Sequence, residues 1–380
     1  MDHRRSKFKT KIIVVFLVVL SAGSLVYYAV APYFRPIYSG SAWGDITVSK
    51  EEEILLKFIR NNLSNEEGGI YTNYLDLDSD GDITKGHSVL SESQGLILLY
   101  DLKKDDIDSF NKNLNYIEEN MILSNKLLSW RVKGNEKSNT SATIDDLRVV
   151  KALLIASEKW NDISYRKLAI NISKGIRKEL VDKYALADFN DGIQKSTVTT
   201  LCYLDLPTIR MLANIDYISW KKIYDESLEI INNGYISDNI PLYAKSFDRL
   251  QNSYDNGDVE TLLSMIVILN KLEVGEDVTK SIEWIKNEFD KKGMIATSYS
   301  RIDGRPTSNI ESTSIYSIIV QIASKIEDKE LEAIAMDKVR AFQIEDPNSK
   351  IYGGYGSKDG REVYSYDNLN ALLAFRSFRE

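Results

Sequence analysis

One cysteine, six prolines and two histidines in 380 residues exclude a good deal. With Cys202 alone, no intrachain disulfide can form, so the fold must be held by its core. Cys202 itself lies in an apolar run, as a small buried hydrophobe would. His3 and His87 are too few for a histidine-rich metal centre, and a Ser-His-Asp triad could draw only on His87, with no nucleophile-elbow serine to go with it. Scarce proline leaves most of the chain free to form long helices. Positive charge is short as well. Taking the +5 of residues 1–35 (six Lys/Arg, one Asp) from the net charge of −8 leaves −13 for the remainder. Nucleic acid is therefore not an expected partner, because its binding rests on clustered cations; a neutral or cationic polymer suits this surface better.

What remains is an ordinary globular composition, 43% apolar and 27% charged, behind an unusual N-terminus. Arg4, Arg5, Lys7, Lys9 and Lys11 precede Ile12–Ala31, a run of 20 residues without a charge. That length matches a membrane-crossing helix, and the basic flank predicts that the bulk of the chain lies outside the cell. Ala29-Val30-Ala31 has the small residues of a signal-peptide cleavage site, but Pro32 follows directly and the run is long, which favours an uncleaved anchor. The organisation expected is a cytoplasmic tail (1–11), a single-pass cell-membrane anchor (12–31), a linker (32–47) and one large extracellular domain (48–380).

Within that domain, apolar residues recur at helical spacing over roughly 50–63, 89–101, 106–121, 144–160, 162–181, 197–213, 217–232, 257–271, 277–290, 309–325, 328–343 and 366–378. Strand-like alternation is scarce. Helices apolar nearly all round (Thr261–Leu272, Ile315–Ile322) alternate with amphipathic ones (Asp106–Glu119, Asp328–Phe342), which predicts two concentric layers. The inner helices would start at one rim, and acids stand near several of those starts: Glu92, Asp145, Asp255, Glu311 and Asp367. Leu90-Ser91-Glu92-Ser93, Asn309-Ile310-Glu311-Ser312 and Ser365-Tyr366-Asp367-Asn368 echo one another, as repeats of one hairpin unit would. Six such hairpins close into an all-α (α/α)6 barrel; the competing arrangement is an irregular α-solenoid.

Acids at helix starts are often simple caps. Two stretches ask for more: Ser91-Glu92-Ser93-Gln94-Gly95 and Ala142-Thr143-Ile144-Asp145-Asp146-Leu147. Cleavage of a glycosidic bond needs two carboxyl groups, one holding a proton at neutral pH and one acting on water or on the sugar. Glu92, between small serines and ahead of a strongly apolar helix, is placed for the desolvation that raises a carboxyl pKa. Asp76, Asp78 and Asp80 match the front half of a calcium loop, but its twelfth position is His87 rather than Glu, so an acidic surface loop without a metal or other cofactor is expected.

The Ser91–Gly95 segment resembles the Ser-Glu-Gly-Gln-Gly segment of glycoside hydrolase family 8. Ala142–Leu147, running on to Trp160, resembles that family's Ala-Thr-Asp-Ala-Asp-Leu signature. Leu128-Ser129-Trp130-Arg131, Tyr203-Leu204-Asp205-Leu206-Pro207 and Tyr254-Asp255 are similar to its further motifs over about 50–380. The resemblance implies an (α/α)6 barrel and hydrolysis of a β-1,4-linked polysaccharide with inversion. It implies that Glu92 is the proton donor and Asp255 the base, with Asp258 and Asp248 as rivals for the latter role. Ile144 stands where the signature has its first Asp, so the acid that holds the sugar falls to Asp145 or Asp146. Trp130, Tyr203, Asp205 and Tyr254 would line subsites, and Arg148 would pair with the double Asp or hold a sugar hydroxyl.

The reading is then a membrane-anchored, endo-acting hydrolase of an extracellular polysaccharide, an exopolysaccharide or biofilm matrix of its own cell. Its partners would be that polymer, the membrane and a polysaccharide synthase complex. A non-catalytic glycan-binding scaffold is the main alternative, motivated by Ile144. A lyase is disfavoured by the acidic balance.

Overall fold

The structure is a computed structural model in which residues 2–37, 47–77 and 86–379 are described. Those residues contain thirteen α-helices. The first, α1 (Asp2–Val30), stands apart, with its large apolar side chains from Ile13 to Leu20 and from Val26 to Val30 exposed. Ile13–Tyr33 is long and apolar enough, at 21 residues, to cross a membrane.

The other twelve form an (α/α)6 barrel. Six inner helices are α3 (Ser91–Lys104), α5 (Thr143–Lys159), α7 (Leu206–Ile215), α9 (Thr261–Glu273), α11 (Thr313–Lys325) and α13 (Ser365–Phe375). Six outer helices are α2 (Lys50–Asn62), α4 (Ile107–Asn120), α6 (Ile163–Glu179), α8 (Tyr217–Asn233), α10 (Thr279–Lys292) and α12 (Lys329–Phe342). Burial divides them as the apolar patterning requires. Nearly every residue of α5 is buried, whereas α10 buries only Ser281, Ile285, Glu288 and Phe289. Outer helices start on side-chain caps: Ser49, Asp106, Asp162, Asp216 and Asp328 each accept from a backbone N–H of the first turn. None of the five cap residues is buried, so each keeps part of its contact with solvent.

The ring closes where α13 meets α3. Ser93 and Ser365 share a hydroxyl hydrogen bond of 2.8 Å at one end, and Lys103 Nζ donates to Ser377 Oγ at 2.8 Å at the other. The first outer helix is locked to the last inner one by a buried ion pair. Glu52 accepts from Arg376 Nε at 2.6 Å and Nη2 at 2.7 Å, and from the Tyr100 hydroxyl at 2.8 Å. All three groups are buried, so removing the Glu52 charge would leave a buried guanidinium without its counter-charge.

The periodicity over 197–213 overstates α7. Val198–Thr200 is a strand paired with Ser246–Asp248, Leu201–Tyr203 is a short 3-10 turn, and the helix begins at Leu206. Pro207 dictates this start, since proline fits a first helical turn but not a helix interior. Asp205 caps it, accepting from Thr208 N at 3.0 Å. Other short strands sit in the connections from outer to inner helices, among them Val89–Leu90 against Arg131–Lys133 and Ser253–Tyr254 against Ser246–Asp248. They build up the rim at which the inner helices start.

Candidate active site

The N-terminal ends of α3, α5 and α13 bring Glu92, Asp145 and Asp367 to this rim. Glu92 is half-buried and, among the described residues, takes part in no hydrogen bond or ion pair. Burial, then the charge of Asp145, pushes its carboxyl up to about 7; Asp367 adds to the rise and Arg148 opposes it. Glu92 can therefore carry a proton at neutral pH with its carboxyl free to donate it.

Asp145 is fixed from two sides. Ser91 Oγ donates to Oδ2 at 2.7 Å and Arg148 Nη1 to Oδ1 at 3.0 Å. Burial raises its pKa, and these two donors pull the other way. Arg148 reaches this position by running past Gly95, one turn beyond Glu92. A β-carbon on Gly95 would stand 2.9 Å from Arg148 Cδ and 3.0 Å from Cγ. The glycine that ends the Ser91–Gly95 motif is thus the space through which the guanidinium passes. Gln94 ties the helix start to its surroundings: it accepts from Ile70 N at 2.8 Å and donates to the carbonyls of Gly68 and Asn113.

The double acid is split. Consecutive helical residues point about 100° apart, and Asp146 turns away from Glu92. Its Oδ1 accepts from Leu128 N at 2.8 Å, and its Oδ2, fully enclosed, has no hydrogen-bond partner among the described residues. Burial holds Asp146 well above the usual carboxylate range. Asp145, not Asp146, is brought to Glu92.

Asp255 is six residues ahead of α9, on a loop rather than at a helix start. Its N–H donates to Ser246 O at 2.8 Å, and its Oδ2 accepts from Gly257 N at 3.3 Å. The neighbouring Lys245 carbonyl accepts from Leu201 N at 3.0 Å, so the Asp255 loop is tied to the turn that carries Tyr203. Tyr203 in turn lies within the field of Glu92 and Asp145: burial first, then those charges, holds its phenol protonated. This chain of contacts puts Asp255 on the same rim. Of its rivals, Asp248 caps a hairpin turn through Leu250 N and Gln251 N, and Asp258 is exposed.

Trp130 stands beside the start of α3: its carbonyl accepts from Ser91 N at 3.0 Å, its indole N–H donates to Ser138 at 3.0 Å, and the Arg131 guanidinium lies 5.8 Å from its ring. Tyr254 faces the other way, packed on Phe247 with its hydroxyl on Ile230 O at 2.8 Å. Asp205, besides its cap, lies 3.9 Å from Lys151 Nζ on the barrel axis. Asp367, expected at this rim but given no role there, and its neighbour Tyr366 join the site; burial and the Glu92 charge raise the Tyr366 phenol, and Ser314 donates to Asp367 at 2.5 Å. The likeness of Ser365-Tyr366-Asp367-Asn368 to Leu90-Ser91-Glu92-Ser93 is the signal that marks them in the sequence. Glu311, a third such position, is instead paired with Lys338 at 2.8 Å. Below the cleft an axial cavity of about 390 Å³ runs from Arg148 and Tyr366 toward Lys325 at the far end.

Among the described residues no cluster of three His, Cys, Asp or Glu side chains is placed to hold a metal. Asp78 and Asp80 of the calcium-loop pattern lie outside the described residues, and Asp76 accepts from His87 N at 2.9 Å.

Comparison with known proteins gives concordant matches. The model of the family "Glycosyl hydrolases family 8" matches residues 76–239, a span that includes Glu92, Asp145 and Asp205 but stops before Asp255. A solved structure described as a novel alpha-amylase from Clostridium perfringens is 47% identical, with a TM-score of 0.84 over 87% of this chain and 98% of that one. The endo-beta-1,4-glucanase CMCax from Acetobacter xylinum, 14% identical, has the same fold, with a TM-score of 0.62 over 87% of this chain and 98% of that one. The candidate lipoprotein YdaJ of Bacillus subtilis (strain 168) is 28% identical over 320 residues, 84% of this chain and 85% of that one.

Proposed function

The chain belongs to glycosyl hydrolase family 8 and is a glycoside hydrolase, and on that premise we propose that it cuts a β-1,4-linked extracellular polysaccharide, within the chain and with inversion. The observation that carries this reading is Glu92, a carboxyl pushed up to about 7 at the start of an inner helix, next to Trp130 and on the same rim as the loop that bears Asp255. Glu92 protonates the glycosidic oxygen as the bond breaks. Asp255 takes a proton from the water that attacks the anomeric carbon from the other face. The two carboxyls of an inverting pair need a gap of about 6.5–9.5 Å to admit that water. Asp145, gripped by Ser91 and Arg148, presents a fixed acceptor for hydroxyls of the sugar that distorts toward the transition state. Trp130 offers a flat apolar face to a neighbouring ring.

The apolar N-terminal helix and the similarity to YdaJ support a protein held at the cell membrane with the barrel outside. An anchored hydrolase of that kind works on polymer emerging from its own cell, as an exopolysaccharide or biofilm matrix does, close to the synthase that makes it. A second reading, an α-1,4-glucan substrate, is favoured by the relative described as an alpha-amylase.

The test is to incubate the full chain with carboxymethylcellulose, mixed-linkage glucan, poly-N-acetylglucosamine and amylose, counting new reducing ends and following their anomers by NMR. New ends from a β-linked polymer, appearing first as the α-anomer, are expected. Cleavage of amylose alone would establish the second reading, a first-formed β-anomer from a β-linked polymer would refute inversion, and no cleavage of any polymer would refute both readings.

A further inference from the structure

The segment that follows α1 is bound to the barrel. A short 3-10 turn, Ala31–Tyr33, succeeds the helix, and Ala31 and Ile37 are buried. Arg35 Nη1 donates to the carbonyl of Ile215, the last residue of α7, at 3.2 Å. Arg166, in the first turn of α6, donates to the Arg35 carbonyl and to Glu158 in the last turn of α5, and the Ile37 N–H is bound to the same carboxylate. Each attachment lies where an inner helix ends and an outer one begins. The site lies where the inner helices begin. The two are thus on opposite ends of the barrel, separated by the length of an inner helix, about 20 Å for 13 or 14 residues at 1.5 Å each.

Around the exit of α1, beside the cap carboxylates Asp106, Asp162 and Asp216, large apolar side chains are exposed. Ile107, Ile163 and Tyr217 are the first residues of α4, α6 and α8, and they are 40%, 40% and 60% exposed; Ile218 is 68% and Phe34 73% exposed. A lone exposed isoleucine means little. These five share the end of the barrel from which a membrane-length helix leaves, and Tyr27, Tyr28 and Tyr33 stand at that junction, as aromatic residues do at a bilayer interface. Ile193, Leu250 and Ile302 are exposed on the rim side as well. Exposure alone therefore does not choose a face; the docking of residues 31–37 does.

We propose that the end of the barrel formed by the C-termini of the inner helices rests on the lipid bilayer, with Phe34, Ile107, Ile163, Tyr217 and Ile218 in the interfacial layer. The cleft then opens directly away from the membrane, about 20 Å or more above it. This rests on α1 being a membrane anchor. A polymer leaving the membrane would have to rise past the barrel before entering the cleft, so the enzyme acts on chains already released to that height.

The experiment uses the full chain in phosphatidylcholine vesicles, with single cysteines replacing Ile163, Ile218, Ile193 or Ile302. Cys202, 1% exposed, stays unlabelled. Each cysteine carries an environment-sensitive fluorophore, and quenching by lipid brominated near the headgroup is read. Flotation with the vesicles reports on the anchor separately: a chain that does not float refutes the anchor reading, and with it the proposal. For a chain that floats, at least twofold quenching is expected for Ile163→Cys and Ile218→Cys, and none for Ile193→Cys or Ile302→Cys. Unquenched labels at 163 and 218, quenched labels on the rim, or disulfide dimers through residue 218 showing a second copy on this face would each overturn the orientation.

Discussion

Replacing Glu92 by Gln isolates the energetic consequence of placing an acid where it holds its proton. Glu92 is raised from 4.5 to about 7, first by burial and then by Asp145, with Asp367 adding and Arg148 subtracting. Between those two pH values the folded protein keeps a proton that the unfolded chain releases. Folding stability therefore falls as pH rises through that window, and the loss is complete above pH 7. At about 1.4 kcal/mol per pH unit, the full loss is at most about 3.5 kcal/mol. Glutamine has no proton to lose and escapes it. With an unfolding entropy of about 2 cal/mol/K per residue, a barrel of some 330 residues would gain roughly 5 °C at pH 8 and about 1 °C at pH 5. Calorimetry of both proteins in the same detergent at the two pH values reads this difference. A Glu92→Gln offset that is equal at pH 5 and pH 8, or larger at pH 5, would refute the reasoning, because Glu92 would then be ionised at neutral pH and unable to act as an acid.

Other outcomes follow from the same geometry. Gly95→Ala should push Arg148 off Asp145, lowering kcat at least tenfold for a stability loss of about 1–3 kcal/mol; unchanged kcat would show that the Arg148 path is irrelevant. Asp145→Asn removes a charge that raises Glu92 and frees Arg148 to lower it, so the basic limb of the pH–rate curve should move to lower pH; an upward move would contradict the assignment. Glu52→Gln removes the carboxylate that faces the buried Arg376 guanidinium and should lower stability by about 3–5 kcal/mol with kcat intact below the transition, as read by thermal unfolding.

How much of this was legible in the sequence depends on the range of the interaction. Helices such as α5 and α6 fall within a residue or two of their periodic runs, because burial of one face writes itself into local spacing. Glu92 and Asp145 were legible because each sits in a motif at the start of its own helix. What separates Asp145 from Asp146 was not, since it depends on which neighbour, Ser91 or Leu128, each carboxylate meets. Asp255 read as a helix start because the hairpin that carries it, pairing with Val198–Thr200 some fifty residues away, leaves no helical or strand period of its own. Asp367 and Tyr366 join the site only through ring closure, marked by the contact of Ser93 with Ser365 across 272 residues. Pro207 was visible throughout; the apolar run 197–205 outweighed it, although a strand paired at distance and a 3-10 turn are what that run forms.

The central claim is that Glu92 delivers a proton to a leaving oxygen while Asp255 activates water, and leaving-group dependence tests it most directly. Glu92→Gln should slow cleavage of the natural polymer by about 10²–10⁴-fold yet hydrolyse a dinitrophenyl glycoside of the same oligosaccharide within tenfold of wild type, since that leaving group departs unprotonated. Asp255→Asn should be slow on both. Equal slowing of the two substrates by Glu92→Gln, or full activity on the polymer, would contradict the account.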